Sequence, residues 1–164
     1  MSDFSLNPMD ASVLNIFATS IINYFTKTTG HPAEMGTPFL GHEDEILALD
    51  FSAVIGISGT YRGNIYYTAP RPKMQALLAI LGEDDYSDNL CGELVGEITN
   101  TISGNAREEL GGGFMISTPF LLAGSNISVR AAQGAPCFIL PIEWNSFCSR
   151  ILITLLKTDT TANP

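Results

Sequence analysis

Between Cys91 and Leu110 the chain reads CGELVGEITNTISGNAREEL, in which Glu93, Glu97, Asn100, Gly104 and Arg107 follow one another at spacings of four, three, four and three. On a helix that spacing aligns all five on one face. A carboxylate and a carboxamide one turn apart can act on a single partner site. The carboxylate offers a charge-assisted bond to a basic side chain, and the carboxamide carries both donor and acceptor, so it can fix a water without taking its proton. Glu and Asn also commonly fill the wet side of a helix, so the spacing alone is equally the signature of a solvated face. Two glycines add information. Gly104 inside a strong helical pattern costs about 1 kcal/mol relative to Ala, which implies close approach to the backbone there. Gly96 carries the same implication, either for a partner or for packing of the helix on a sheet.

The helix that must position these residues is fixed by its other face. Leu94, Ile98, Ile102, Ala106 and Leu110 repeat at four and form a buried stripe. The pattern predicts a helix over 89–110, with N-cap candidates in Ser87-Asp88-Asn89 and a stop at Gly111-Gly112-Gly113. Upstream, Val13, Leu14, Phe17, Ile21, Tyr24 and Phe25 predict a first helix over 9–28. Gly30, Pro32, Gly36 and Pro38 then break the chain, and strands are expected over 47–57 and 61–67 with a turn around Ser58-Gly59. A short helix over 72–81 follows Pro70 and Pro72. After the glycine run, 113–119 leads toward strands expected near 126–132, 136–144 and 149–156, with turns at Gly134-Ala135 and Asn145-Ser146. The polar segment 157–164 reads as a loose tail.

Thr37-Pro38-Phe39-Leu40 recurs as Thr118-Pro119-Phe120-Leu121, 81 residues on, each time after a long helix and before strands. Two similar lead-ins to a strand would explain this, as would a duplicated helix-plus-sheet unit. Under the second reading the first and third helices are equivalents packed on one antiparallel sheet. The fold class expected is α+β.

The 164 residues carry 45% hydrophobic and 15% charged side chains, which is globular composition and enough chain for one domain over 1–164 with its own core. Eight Lys and Arg against seventeen Asp and Glu give a net charge of −9, so nucleic acid and anionic membrane surfaces are poor partners. No window approaches the roughly 18 apolar residues of a membrane span, and the first ten residues lack the basic-then-apolar order of a cleaved signal. Cys91, Cys137 and Cys148 form no CxxC pair and sit in apolar neighbourhoods, as reduced core thiols of a cytoplasmic protein do. Asn126-Ile127-Ser128 matches a glycosylation acceptor, a pattern with meaning only in a secretory compartment.

Glu97-Ile98-Thr99-Asn100, the downstream Gly104-Asn105-Ala106 and the Ile116-Ser117-Thr118-Pro119 approach to the next strand together resemble the CheC/CheX/FliY phosphatases of bacterial chemotaxis, the CheX branch in particular. The order of elements fits that family over nearly the whole chain. The resemblance implies a CheC/CheX-like fold and hydrolysis of the aspartyl phosphate of a CheY-type receiver. Asn100 would orient the attacking water and Glu97 would hold the receiver through a basic side chain, with Glu93, Gly104 and Arg107 completing the partner-binding face. Phosphoryl transfer is helped chiefly by positioning and charge stabilisation, which such a pair can supply. The Mg2+ would belong to the receiver, and this chain would bind no cofactor of its own. CheX-like proteins also dimerise through their sheets, which implies a homodimer. The family pattern usually has Asp or Ser four residues before the glutamate, where this chain has the longer Glu93. CheC proteins carry two such helices, whereas the 81-residue offset puts Ile16 and Thr19 at the first, so one site is expected.

The alternative is a binding module that docks on a receiver or another signalling protein without hydrolysis. Asn100 separates the two, since a pure binder does not need an amide that positions water. Receivers are often acidic, so a chain of charge −9 gains little from long-range steering and depends on local complementarity. Other candidate chemistry is thin. His31 and His42, near Glu34, Glu43, Asp44 and Glu45, lack ligand spacing for a metal. The glycine run follows a helix, the reverse of a phosphate loop. Glu83-Asp84-Asp85 reads as a solvated loop, and Trp144 and Phe147 as core or interface residues.

Overall fold

The computed structural model describes residues 11–41, 48–124 and 136–158. Among them the elements run α1 (Ala11–Thr29), β1 (Glu34–Met35), β2 (Phe39–Gly41), β3 (Phe51–Gly59), β4 (Tyr61–Ala69), α2 (Arg71–Ile80), α3 (Asp88–Leu110), β5 (Phe114–Ile116), β6 (Phe120–Ala123), β7 (Cys137–Trp144) and β8 (Phe147–Lys157). The strand expected near 126–132, the Gly134-Ala135 turn, the Asn126-Ile127-Ser128 site, His42 with Glu43, Asp44 and Glu45, and most of the 157–164 tail lie outside the described residues.

All strands pair antiparallel in one sheet of order β1-β7-β8-β4-β3-β5, with β2 also on β7 and β6 also on β3. This is the α+β architecture expected from sequence, and its pairing is two-fold. Each half runs helix, two short strands, two long strands. The short strands β1 and β2 pair with β7 of the second half, and β5 and β6 pair with β3 of the first, while β4 and β8 meet at the centre. The Thr-Pro-Phe-Leu echo therefore falls on equivalent places, Phe39 opposite Ile139 and Phe120 opposite Val54. The short strands β1, β2 and β6 were not expected from sequence. Two to four residues show no period, and they are strands because a long neighbour supplies their hydrogen-bond partners.

The long strands follow their period. Phe51, Ala53, Ile55 and Ile57 of β3 and Ile151, Ile153 and Leu155 of β8 join Phe17, Ile21, Phe25, Leu94, Ile98 and Ile102 in one core between sheet and helices. Cys137, Ile139 and Leu152 form a second, small cluster with Tyr66 on the opposite face. Asn145 and Ser146, at φ 50° and 66°, make the tight β7–β8 hairpin turn. Trp144 is buried, stacks on Phe25 at 5.4 Å and donates its Nε1–H to Thr29 Oγ1 at 3.2 Å, so it is core. Cys91 and Cys137 are buried, but Cys148 is exposed. Strand alternation turns the neighbouring Ser149 inward and leaves Cys148 outside, opposite Glu143.

Buried Lys73 fastens α2 to the sheet. Its Nζ donates to Ser149 Oγ at 2.7 Å and to the Ile142 carbonyl at 3.3 Å, and it lies 4.9 Å from the centre of the Phe25 ring. Tyr67 adds a hydroxyl bond to the same Ser149 at 3.0 Å. Burial pulls the Lys73 ammonium down to about 7.

Candidate functional site

α3 begins where Ser87 Oγ accepts the Leu90 N–H at 3.3 Å, the N-cap expected from Ser87-Asp88-Asn89. Arg71 at the head of α2 grips Asp88 with two bonds, Nε to Oδ1 at 2.9 Å and Nη2 to Oδ2 at 3.0 Å, and holds the Asp88 carboxyl below its ordinary range. At the other end Gly111, at φ 94°, turns the chain out and donates its N–H to the Arg107 carbonyl at 2.9 Å. Leu94, Ile98, Ile102 and Ala106 are buried, with Leu110 partly so, and the opposite face is therefore presented outward.

That face carries the expected residues together. Glu93, Glu97, Asn100 and Arg107 are exposed, and Gly104 is half-buried with open space where a Cβ would stand. Glu93 accepts a long bond from the Asn89 amide at 3.5 Å. The two glycines part company. At Gly96 a Cβ would come within 2.6 Å of Leu121 Cδ2, so this glycine admits β6 against the helix and serves internal packing. The register explains why Leu121 reaches it: Leu121 pairs with Ala53, whose side is the core side of β3. The propensity cost of Gly96, about 1 kcal/mol, is offset by that close approach.

α1 packs antiparallel along α3 and supplies two residues that sequence reasoning did not attach to the site. Asn105 donates to Ser20 Oγ at 3.1 Å, and Ser20 in turn donates to the Ile102 carbonyl at 3.4 Å. The asparagine of the Gly-Asn-Ala motif is thus a tie between helices. Further along α1, Tyr24 lies within electrostatic reach of Glu97. Burial, reinforced by the Glu97 carboxylate and partly countered by a hydrogen bond with Thr28, pushes the Tyr24 phenol up to about 12. Tyr24 reads in sequence only as part of the apolar stripe of α1, and no local signal joins it to a residue 73 positions away.

Ile16 and Thr19, at the offset positions on α1, form no second acid–amide pair. Between α1 and the end of α3 lies an open polar groove of about 390 Å³, bordered by Asn15, Asn23, Lys27, Asn105, Glu108 and Glu109. Among the described residues no group of three His, Cys, Asp or Glu side chains is placed to hold a metal, and no helix is long and apolar enough to cross a membrane.

An antiparallel sheet with pseudo-two-fold pairing, helices on one face and an outward Glu-x-x-Asn pair defines a CheC-like α+β protein. The family model for chemotaxis phosphatase CheX matches residues 51–143, from β3 through α3 to β7. The chain belongs to the CheX family. Among solved structures it is similar to a CheC-like superfamily protein from Shewanella sp. PV-4, at 25% identity over 90% of this chain and 99% of that one, with a TM-score of 0.79. It is also similar to chemotaxis protein CheX from Desulfovibrio desulfuricans, at 27% identity over 89% and 99% of the two chains, TM-score 0.75. It shares its fold with a chain of the CheX–CheY–BeF3–Mg2+ complex from Borrelia burgdorferi, at 19% identity over 87% and 97%, TM-score 0.70. No curated protein matches the sequence.

Proposed function

We propose that this protein hydrolyses the aspartyl phosphate of a CheY-type response regulator, with Asn100 orienting the attacking water and Glu97 anchoring the receiver through a basic side chain. The observation that carries the reading is the exposure of Glu97 and Asn100 one turn apart on α3 in a chain of the CheX family. The Borrelia complex pairs a CheX with CheY and Mg2+, which supports a receiver as the partner. The Mg2+ is the receiver's own, and the place of action is the cytoplasm. Water held by the carboxamide attacks phosphorus in line, the bond from phosphorus to the aspartyl oxygen breaks, and inorganic phosphate and a free carboxylate result. Asn100 keeps its protons throughout. Glu93, Gly104 and Arg107 border the same face and meet the receiver around the reacting centre, Gly104 by letting it close on the helix backbone.

The test is the decay of an acetyl-phosphate-labelled CheY-type receiver with Mg2+, alone, with the wild type and with Asn100→Ala. Faster decay with the wild type and not with the variant is expected, while receiver binding survives the substitution. Binding without acceleration by the wild type would leave a docking module and remove the enzyme. The protein also acts as a homodimer. Phe39, Ile139, Leu152, Tyr66, Val54 and Phe120 are successive cross-strand neighbours, so an apolar row crosses the sheet face that carries none of the described helices. Phe39 and Phe120, at its two ends, are 45% and 70% exposed.

A further inference from the structure

Leu121 is 48% exposed, and its inner methyl fills the notch at Gly96. Gly96 and Asn100 are one turn apart, and such neighbours place their Cβ positions about 5–6 Å from each other. With 2.6 Å from the Gly96 notch to Leu121 Cδ2, that methyl stands no more than about 9 Å from the Asn100 side chain. Phe120 and Leu122 alternate to the other face of β6; of Leu121 and Ala123, which share the α3 side, Leu121 is the one that meets the helix at Gly96. A single exposed leucine is ordinary. This one differs in its seat: of the three interior glycines of α3, Gly92 and Gly104 face open space and only Gly96 is occupied. The seat holds Leu121 on the β6 flank of α3, one turn along the helix from Asn100, while α1 packs on the other flank.

A protein partner that brings a phosphoryl group to Asn100 covers surface well beyond it. Specific interfaces take about 800 Å² from each side, so a residue within about 9 Å of the centre is covered. Residues near the centre of an interface, desolvated and rimmed by polar groups, carry most of the binding. Glu93, Glu97, Asn100 and Arg107 supply exposed polar groups along the α3 side of Leu121. We infer that Leu121 is an apolar anchor of the docking surface, which recognises a receiver presenting an apolar side chain next to its phosphorylated aspartate. The inference rests on the phosphatase reading for its partner, and it assigns Leu121 to binding and selection of the receiver, with no part in the reacting atoms.

The experiment measures KM and kcat for the phosphorylated receiver, together with direct binding of that receiver, for the wild type, Leu121→Ser, Leu121→Met and Gly96→Ala. Leu121→Ser is expected to raise KM and weaken binding about tenfold with kcat within twofold, as for one truncated anchor. Leu121→Met recovers KM. Gly96→Ala keeps the leucine but pushes it from its seat, so KM rises there too, which retains a test should the serine variant fold poorly. Unchanged KM and binding in both Leu121→Ser and Gly96→Ala overturn the inference and leave the phosphatase reading intact. A fall in kcat that Leu121→Met does not recover also overturns it, by assigning the residue to the framework of α3. If the wild type binds the receiver without hydrolysis, the phosphatase reading fails, and weaker binding by Leu121→Ser still upholds the anchor.

Discussion

In the proposed reaction Asn100 and Glu97 would divide their labour by chemistry. An amide positions water through a donor and an acceptor held in one plane, whereas a carboxylate contributes charge. Asn100→Ala should therefore abolish acceleration with binding retained, and Glu97→Ala should weaken both, by about tenfold in affinity for one charge-assisted bond of about 1.5 kcal/mol. Parallel titration and decay assays separate the two variants. Lys73 makes a prediction of another kind. Its folded value near 7 lies far below the 10.5 of a free lysine, so between those values the unfolded chain binds the extra proton. Stability from this group hence rises with pH across that window and falls as pH is lowered toward 7. From pH 7 to 8.5 the gain is about 1.5 kcal/mol. Lys73→Met should remove that rise, read as the difference in urea unfolding free energy between the two pH values. A variant that keeps the full rise would show that Lys73 is not its source.

At the scale of elements, α3 is a platform whose direction is set by its attachments. Arg71–Asp88 fixes its start, and the Asn105–Ser20 bond fixes its α1 flank. Asn105→Ala removes the last of these while Ser20 keeps its bond to the Ile102 carbonyl. The loss expected is about 1 kcal/mol, or roughly 2–4 °C in Tm for a chain of this size. Calorimetry checks it, and an unchanged Tm would show that the tie does not bear on stability. The end of α3 and its two faces were legible in sequence, because a 3.6-residue period over more than twenty residues is a strong local signal. β1, β2 and β6 were not, because an edge strand of two to four residues is defined by the strand it meets.

The whole molecule is two similar halves that exchange their short strands, so neither half completes its sheet alone. The helices cover one face, and the apolar row from Phe39 to Phe120 crosses the other. Light scattering should accordingly give a mass of twice the 17.6 kDa of one chain. Phe39→Glu combined with Phe120→Glu should bring it to one chain, since burying two unpaired carboxylates in an apolar contact is strongly unfavourable. A wild type that runs at the single-chain mass would contradict the dimer.

By itself the sequence determined the fold class, from the order of its elements, and the long helices and the line of Glu93, Glu97, Asn100, Gly104 and Arg107, which follow from period, caps and spacing within about twenty residues. It also determined the core side of α3. Tertiary structure alone decided that Asn105 ties two helices, that Tyr24 lies within electrostatic reach of Glu97, that Gly96 receives Leu121 and that Lys73 lies buried on Ser149. It decided too that Cys148 faces out where its apolar neighbours suggested a core thiol. The physical reason is common to all five. Local periodicity says which side of an element is buried, but which side chain it meets there, and whether a strand presents one neighbour or the next, depends on register with segments up to 85 residues away.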